Sequence, residues 1–346
     1  MQTSTFYIRS VSYQEGYDFM AKKKRGHYSG IGGQAVLEGV MMKNKEKYAV
    51  AVRKPDGEIE VEVENYQGVL HGSPLKELPF IRGIFNFVDS MILGMKCLNY
   101  SASFYEDEDA KETVVDRALN KVTRGKAEKV FTALITFFSI ALAVGIFIVL
   151  PYFITSYFKE YVRSNALMTL IEGVIRILIF LLYVIGISLM KDIKRLYMYH
   201  GAEHKCINCL EKGRPLTVRN AMKSSRLHRR CGTSFMFFVM FVSIILFFFI
   251  RVSNPFAKVA LRILLIPVIA GISYELIRLA GRSNHVLVRL LSVPGMMIQR
   301  LTTKEPSKDM VEVAIASVEA VFDWKSYLAE EFGYEEEAPA EGSGKE

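Results

Sequence analysis

Two histidines four residues apart, with a carboxylate beside the second, stand in the run Tyr199-His200-Gly201-Ala202-Glu203-His204-Lys205. Residues four apart share one face of a helix, so His200 and His204 can offer two imidazole nitrogens to one ion. Neutral imidazole suits zinc, and a nearby carboxylate such as Glu203 can orient or deprotonate a water. H-x-x-E-H is the arrangement of the inverted zinc peptidases. A later run, Leu227-His228-Arg229-Arg230-Cys231-Gly232-Thr233, supplies two more donors, His228 and Cys231.

A second metal pattern competes for those donors. Cys206-x2-Cys209, 18 residues and His228-x2-Cys231 have the spacing of a structural zinc module. It lacks the glycines and aromatics that surround a zinc knuckle, and it ranks second. Clustering favours metal in either case. His200, His204 and His228 are three of the six histidines, and they lie beside three of the four cysteines. The plain alternative is interfacial histidines bonded to headgroups or carbonyls, with Arg229 and Arg230 as membrane anchors. Glu275 is a further candidate ligand, because a downstream Glu is the third ligand in inverted zinc peptidases. A charge pair with Arg278 or Arg282 is the simpler expectation for it. Glu38 reads as the wet face of a strand.

The elements around these residues are those of a membrane protein. Apolar residues make up 51% of the 346 and are bunched, with mean hydropathy +0.19. Four spans are expected: Val130 to Ile154, Gly173 to Met190, Phe235 to Ile250, and Phe256 to Leu279, the last interrupted by Pro267 and Gly271. The net charge of +8 lies between apolar spans, which points to anionic lipid and away from nucleic acid. Residues 191–233 carry 11 Lys or Arg against 3 acidic residues. The positive-inside rule therefore places that loop, and with four spans both termini, in the cytoplasm. Four cysteines with no secretory signal exclude a secreted disulfide framework. The basic run after Met20 marks Met20 as the expected translation start.

The fold class is thus a membrane α-helical bundle of about four transmembrane helices. It carries a small N-terminal antiparallel β domain and a C-terminal cytoplasmic helix. Residues 1–29 are expected to be disordered. Residues 30–79 form a β-hairpin domain, with Pro55-Asp56-Gly57 as the turn before the alternating Glu58 to Glu64. Residues 80–129 hold an amphipathic helix, Phe80 to Tyr105, and an acidic linker. The membrane domain covers 130–282 with its cytoplasmic loop 191–233. A cytoplasmic tail helix lies in 283–334, and 335–346 form a disordered acidic tail. Gly30-Ile31-Gly32-Gly33-Gln34 is a turn, since no Lys-Ser completes a phosphate loop.

Gly32-Gly33-Gln34-Ala35-Val36-Leu37-Glu38-Gly39-Val40-Met41-Met42 resembles the opening signature of the YqhQ-like family. This is a bacterial multi-pass membrane family of unknown function, labelled a predicted metal-dependent enzyme. Tyr199 to Lys205, Arg226 to Phe235, Gly271 to Arg282 and Gln299 to Pro306 resemble its later motifs. The likeness extends over most of Gly30 to Phe322. It implies a multi-pass membrane protein and favours His200, Glu203, His204, His228 and Cys231. The family pattern omits Cys206 and Cys209, and commonly has proline where Arg229 stands.

Two functions compete. In one, a divalent metal, zinc, is held by His200, His204 and His228, with Cys231 or Glu275 completing the set, and Glu203 is the general base of a hydrolase. In the other, a non-catalytic membrane adaptor docks a cytoplasmic protein partner or anionic lipid. A transporter is weaker, as the spans show no clear inverted repeat.

Overall fold

The computed structural model describes residues 27–105 and 127–335, apart from 159, 251, 253 and 284. The expected Met20 start, most of the N-terminal segment, the acidic linker and the tail beyond 335 lie outside the described residues.

Four strands, β1 (Ile31–Val36), β2 (Gly39–Asn44), β3 (Lys47–Arg53) and β4 (Ile59–Asn65), form an antiparallel meander in that order. The alternating Ile59, Val61 and Val63 pair with Arg53, Ala51 and Ala49, as a hairpin with one wet face requires. Ile31 to Gln34, expected as part of a turn, are instead the first residues of β1, which pairs with β2 as a further hairpin. Its two-residue turn is Leu37-Glu38, with Glu38 at φ +49°. Tight hairpin turns demand positive φ because only they match the strand twist. Glu38 is therefore a turn residue and not on a strand face. Its carboxylate binds Arg195 and accepts from the Tyr199 hydroxyl at 3.2 Å.

Helix α1 (Ile81–Ser103) lies against the sheet with Leu93, Gly94, Cys97 and Ser101 buried. Its other face exposes Phe87, Val88, Met91, Ile92, Met95 and Leu98. The apolar stripe read from the sequence thus points away from the protein's own core.

Three helical stretches are long and apolar enough to cross a membrane: Leu134–Ser156, Ala166–Ser188 and Gly232–Phe249. The first comprises most of α2 (Ala127–Val144), a π turn (Gly145–Val149) and α3 (Leu150–Ser156). The second lies in α4 (Asn165–Ser188). The third is α7 (Gly232–Phe249), following α5 (Lys191–Leu210) and α6 (Val218–Met222). The pair α8 (Pro255–Leu264) and α9 (Ile266–Arg282) makes a fourth only if its 42° bend is accepted as one span. Pro267 at the start of α9 lacks the N–H that would continue the ladder, which accounts for the break.

Within these helices sits a cluster of charges. Arg262, 1% exposed, holds the Glu172 carboxylate with both terminal nitrogens at 2.5 and 2.7 Å. Arg176 donates to the same carboxylate at 3.0 Å, to Ser243 Oγ at 3.0 Å and to the Phe147 carbonyl in the π turn at 3.1 Å.

The region expected to hold one tail helix contains three. In α10 (Val286–Thr302), Val286, Leu287, Leu290, Val293 and Met297 are exposed, while Ser292, Gly295, Ile298 and Gln299 are buried. Then come α11 (Lys308–Val321) and α12 (Trp324–Phe332). The sheet, α5 and α11 share one core. Val40, Met42, Ala49 and Ala51 meet Tyr199, Ala202, Cys206 and Leu210 of α5, and Met310, Val311, Ala314 and Val318 of α11. Three stretches separated in sequence are therefore one packed unit, and its central helix is the one that bears His200 and His204.

Candidate metal centre

Helix α5 spans the seam between this core and the apolar bundle. Its buried face sets Tyr199, Ala202, Cys206 and Leu210 into the core. One turn round, His200 and His204 face the loop before α7, with ring centroids 4.4 Å apart. That loop ends in Cys231, the N-cap of α7, whose sulfur accepts from the Thr233 amide at 3.4 Å. His200, His204 and Cys231 each offer one ligand atom, and those atoms lie within 4.8 Å of one another.

The second nitrogen of each imidazole is tied to backbone. His200 Nδ1 is 2.9 Å from the Thr302 carbonyl, and His204 Nδ1 is 2.7 Å from the Arg226 carbonyl. A carbonyl only accepts, so both Nδ1 atoms carry the proton. In the neutral rings Nε2 is then the free ligand atom on each side chain. His200 Nε2 faces Cys231 Sγ at 3.1 Å.

Electrostatics favours the ligand form of the sulfur. Burial alone would raise the Cys231 thiol. The two imidazoles reverse this and hold it well below the ordinary thiol range. The N-terminal end of α7 favours the same anion. Burial also works against charge on His200. The Cys231 thiolate beside it, with the Glu203 carboxylate and the Thr302 carbonyl, outweighs that and lifts the imidazole to about 9. Together these shifts favour an imidazolium–thiolate pair.

Glu203 is 5% exposed, and its stem packs against Gly33 of β1. Among the described residues its carboxylate makes no direct hydrogen bond, though its charge is felt at His200.

The structure does not bring the remaining candidates into this group. The His228 ring lies 5.7 Å from that of His204, but its Nε2 is 3.3 Å from Glu211 Oε2. Glu275, on α9, faces the start of α1, where Arg82 holds both its oxygens at 2.7 and 2.6 Å, with Arg278 only at 4.0 Å. A fixed guanidinium fork occupies the lone pairs a metal would need. The Cys206/Cys209 module is also not assembled. Cys206 is buried in the apolar core with its thiol raised well above normal, and Cys209 Sγ faces the Arg214 and Pro215 carbonyls.

Sequence reasoning missed the residues that position the ligands. Gln299 is fully buried, accepts from the His228 amide at 2.9 Å, and donates to the His228 carbonyl and Ser234 Oγ at 2.6 and 2.7 Å. It fixes the loop that delivers Cys231. Lys205 staples the other side through the Met222 and Ser224 carbonyls and Glu305, at 2.7, 2.9 and 2.6 Å. Both lie in runs singled out by the sequence, yet amide and ammonium groups there gave no sign of their targets.

Gly201 explains the spacing between the two ligands' helix and its neighbour. A Cβ on Gly201 would stand 2.1 Å from the Lys304 carbonyl oxygen, and the Lys304 amide donates to the Tyr197 carbonyl at 2.8 Å. Gly201→Ala should push away the segment that carries the Thr302 carbonyl. A loss of about 1–3 kcal/mol is expected, read as a lower melting midpoint in detergent. An unchanged midpoint would show that the segment yields freely.

The family described as "Protein of unknown function (DUF1385)" matches residues 78–324. "Uncharacterized protein YqhQ" of Bacillus subtilis (strain 168) is 34% identical over 287 residues, 83% of this chain and 90% of that one. No solved structure matches. The match spans the two segments that bear His200, His204 and Cys231, α5 and the loop into α7, and the chain belongs to the YqhQ-like DUF1385 family.

Proposed function

We propose that the chain is an integral protein of the bacterial cytoplasmic membrane that holds one divalent metal ion, zinc by its donors, at its cytoplasmic face and acts there as a hydrolase. The observation that carries this is the pair of Nδ1–H groups locked onto backbone carbonyls, which leaves two Nε2 atoms and a thiolate converging on one point. Two imidazoles and one thiolate are three ligands of a tetrahedral zinc site, with the fourth position left for water. Bound there, zinc would supply a Lewis acid and an acidified water. Glu203, buried beside His200 without a direct partner among the described residues, is the general base of this reading.

Membrane residence is supported by the apolar stretches and by the outward apolar faces of α1 and α10. Those two helices fit the interface rather than the bilayer centre. The positive-inside rule applied to the basic loop supports a cytoplasmic position for the metal group, and for both termini when the bent pair α8–α9 counts as one span. An adaptor that binds lipid or a cytoplasmic protein would use the same basic surface, but it has no use for two polarised imidazoles.

Elemental analysis of the detergent-purified wild type should find about one zinc per chain. Protein free of any transition metal after purification without chelator, and unable to take up zinc, would overturn the proposal. Loading should also depend on pH. His200 keeps its proton up to about pH 9 and must lose it to bind, whereas Cys231 is already a thiolate. Affinity should therefore rise about tenfold per pH unit from 7 towards 9, with about one proton released per ion at pH 7. Titration calorimetry in two buffers of different ionisation enthalpy measures that proton directly. A pH-independent affinity would contradict the imidazolium–thiolate pair.

A further inference from the structure

Beside the metal group lies a cavity of about 780 Å³, bounded by the α5–α6 turn, the loop before α7, and the ends of α9 and α10. That volume is in the range of small-molecule sites. Its walls bear Lys212, Arg214, Arg229 and Arg230 against one carboxylate, Glu211. Glu211 is itself already neutralised. Arg230 binds it, His228 Nε2 stands 3.3 Å from it, and Ser29 donates through its amide at 3.1 Å and its hydroxyl at 2.9 Å. Lys212 and Arg214 are exposed and make no salt bridge among the described residues.

Arg230 is not a loose surface cation. Its guanidinium lies 4.1 Å from the centre of the Tyr28 ring, and its stem crosses the last turn of α9 at Gly281. A Cβ on Gly281 would stand 2.2 Å from Arg230 Cδ, so only glycine leaves that path open. The cavity also has a definite depth. Gly281 lies in the last turn of the last apolar stretch, and Met296 belongs to α10, which also exposes Leu287, Leu290 and Val293. On the membrane reading, that puts the cavity near lipid headgroups. His228 lines the cavity and has its ring 5.7 Å from that of His204, so a ligand there lies next to the metal group.

We infer that this cavity binds a phosphate group, presented by a phospholipid headgroup or by a soluble phosphate ester. Guanidinium forks and ammonium groups match the charge and the oxygen geometry of phosphate. Lys212 and Arg214, exposed on a wall whose one carboxylate is already paired, discriminate against neutral and cationic ligands. As a substrate site the cavity rests on the metal reading above. As a binding site it is testable without it.

The test uses the full chain. Inorganic phosphate is titrated calorimetrically into protein in phosphatidylcholine nanodiscs. Separately, native mass spectrometry compares retention of phosphatidic acid and phosphatidylcholine from mixed micelles. The Lys212→Gln/Arg214→Gln double variant leaves the Glu211 cluster intact, and size exclusion checks its fold. Its binding should fall at least about tenfold, as expected for losing two charge-assisted contacts. Selective retention of phosphatidic acid without binding of inorganic phosphate assigns the lipid source. Binding of inorganic phosphate with no preference between the lipids assigns the soluble ester. Binding of neither, or a double variant that binds like wild type, overturns the inference. Zinc is measured on the same samples. A wild type that holds zinc but binds no phosphate sinks only this inference, and phosphate binding that survives in zinc-free His204→Ala upholds it without the metal.

Discussion

His204→Ala, and equally His200→Ala, should leave the purified protein with under about a tenth of the wild type's zinc. A structural zinc site is worth about 10–16 kcal/mol in total, so one of three protein ligands accounts for several kcal/mol, a loss of about 100-fold or more in affinity. Replacing a group that only orients a ligand costs about 10–100-fold. Gln299→Ala, which loosens the loop carrying Cys231, belongs in that milder class. Two controls separate the competing sites. Cys206→Ala removes a thiol buried in the apolar core, and Glu275→Gln removes a partner of Arg82. Both should keep their zinc. Zinc lost on Cys206→Ala but kept on His204→Ala would move the site to the other cysteines.

The second large effect lies among the apolar helices. Glu172→Ala should destabilise the fold by about 3–5 kcal/mol, because it strands Arg176 and Arg262 without their shared carboxylate. In lipid the penalty is steep, since no water can take over. The measurement is the melting midpoint in detergent, together with the yield of monodisperse protein. Replacing all three residues by methionine should recover most of the loss, because a buried ion cluster and apolar side chains of similar volume are often near equal. A Glu172→Ala protein as stable as wild type would show that the arginines find other partners.

Length and apolar period were enough to read the helical stretches, because burying or greasing a whole helix needs a long uninterrupted run. The alternation of Glu58 to Glu64 was enough to read β4, because a strand with one wet face must repeat every two residues. His200 and His204 were legible as a pair for the same kind of reason, since four-residue spacing fixes one helix face whatever the fold. Glu275 was not legible. Its sequence neighbours Arg278 and Arg282 pointed one way, while Arg82, 193 residues distant, took both its oxygens. Glu38 similarly depended on a left-handed turn that alternation could not announce.

What the sequence determined by itself was local: which residues share a helix face, which runs are apolar, and which loop is basic. Tertiary structure alone decided that His228 and Glu275 turn to Glu211 and Arg82 while Cys231 meets the two imidazoles, and that the carbonyls of Thr302 and Arg226 aim their Nε2 atoms at it. The physical reason is that a ligand set is a matter of direction as well as type. The direction of a side chain is set by backbone groups far away in the chain, which no spacing rule encodes.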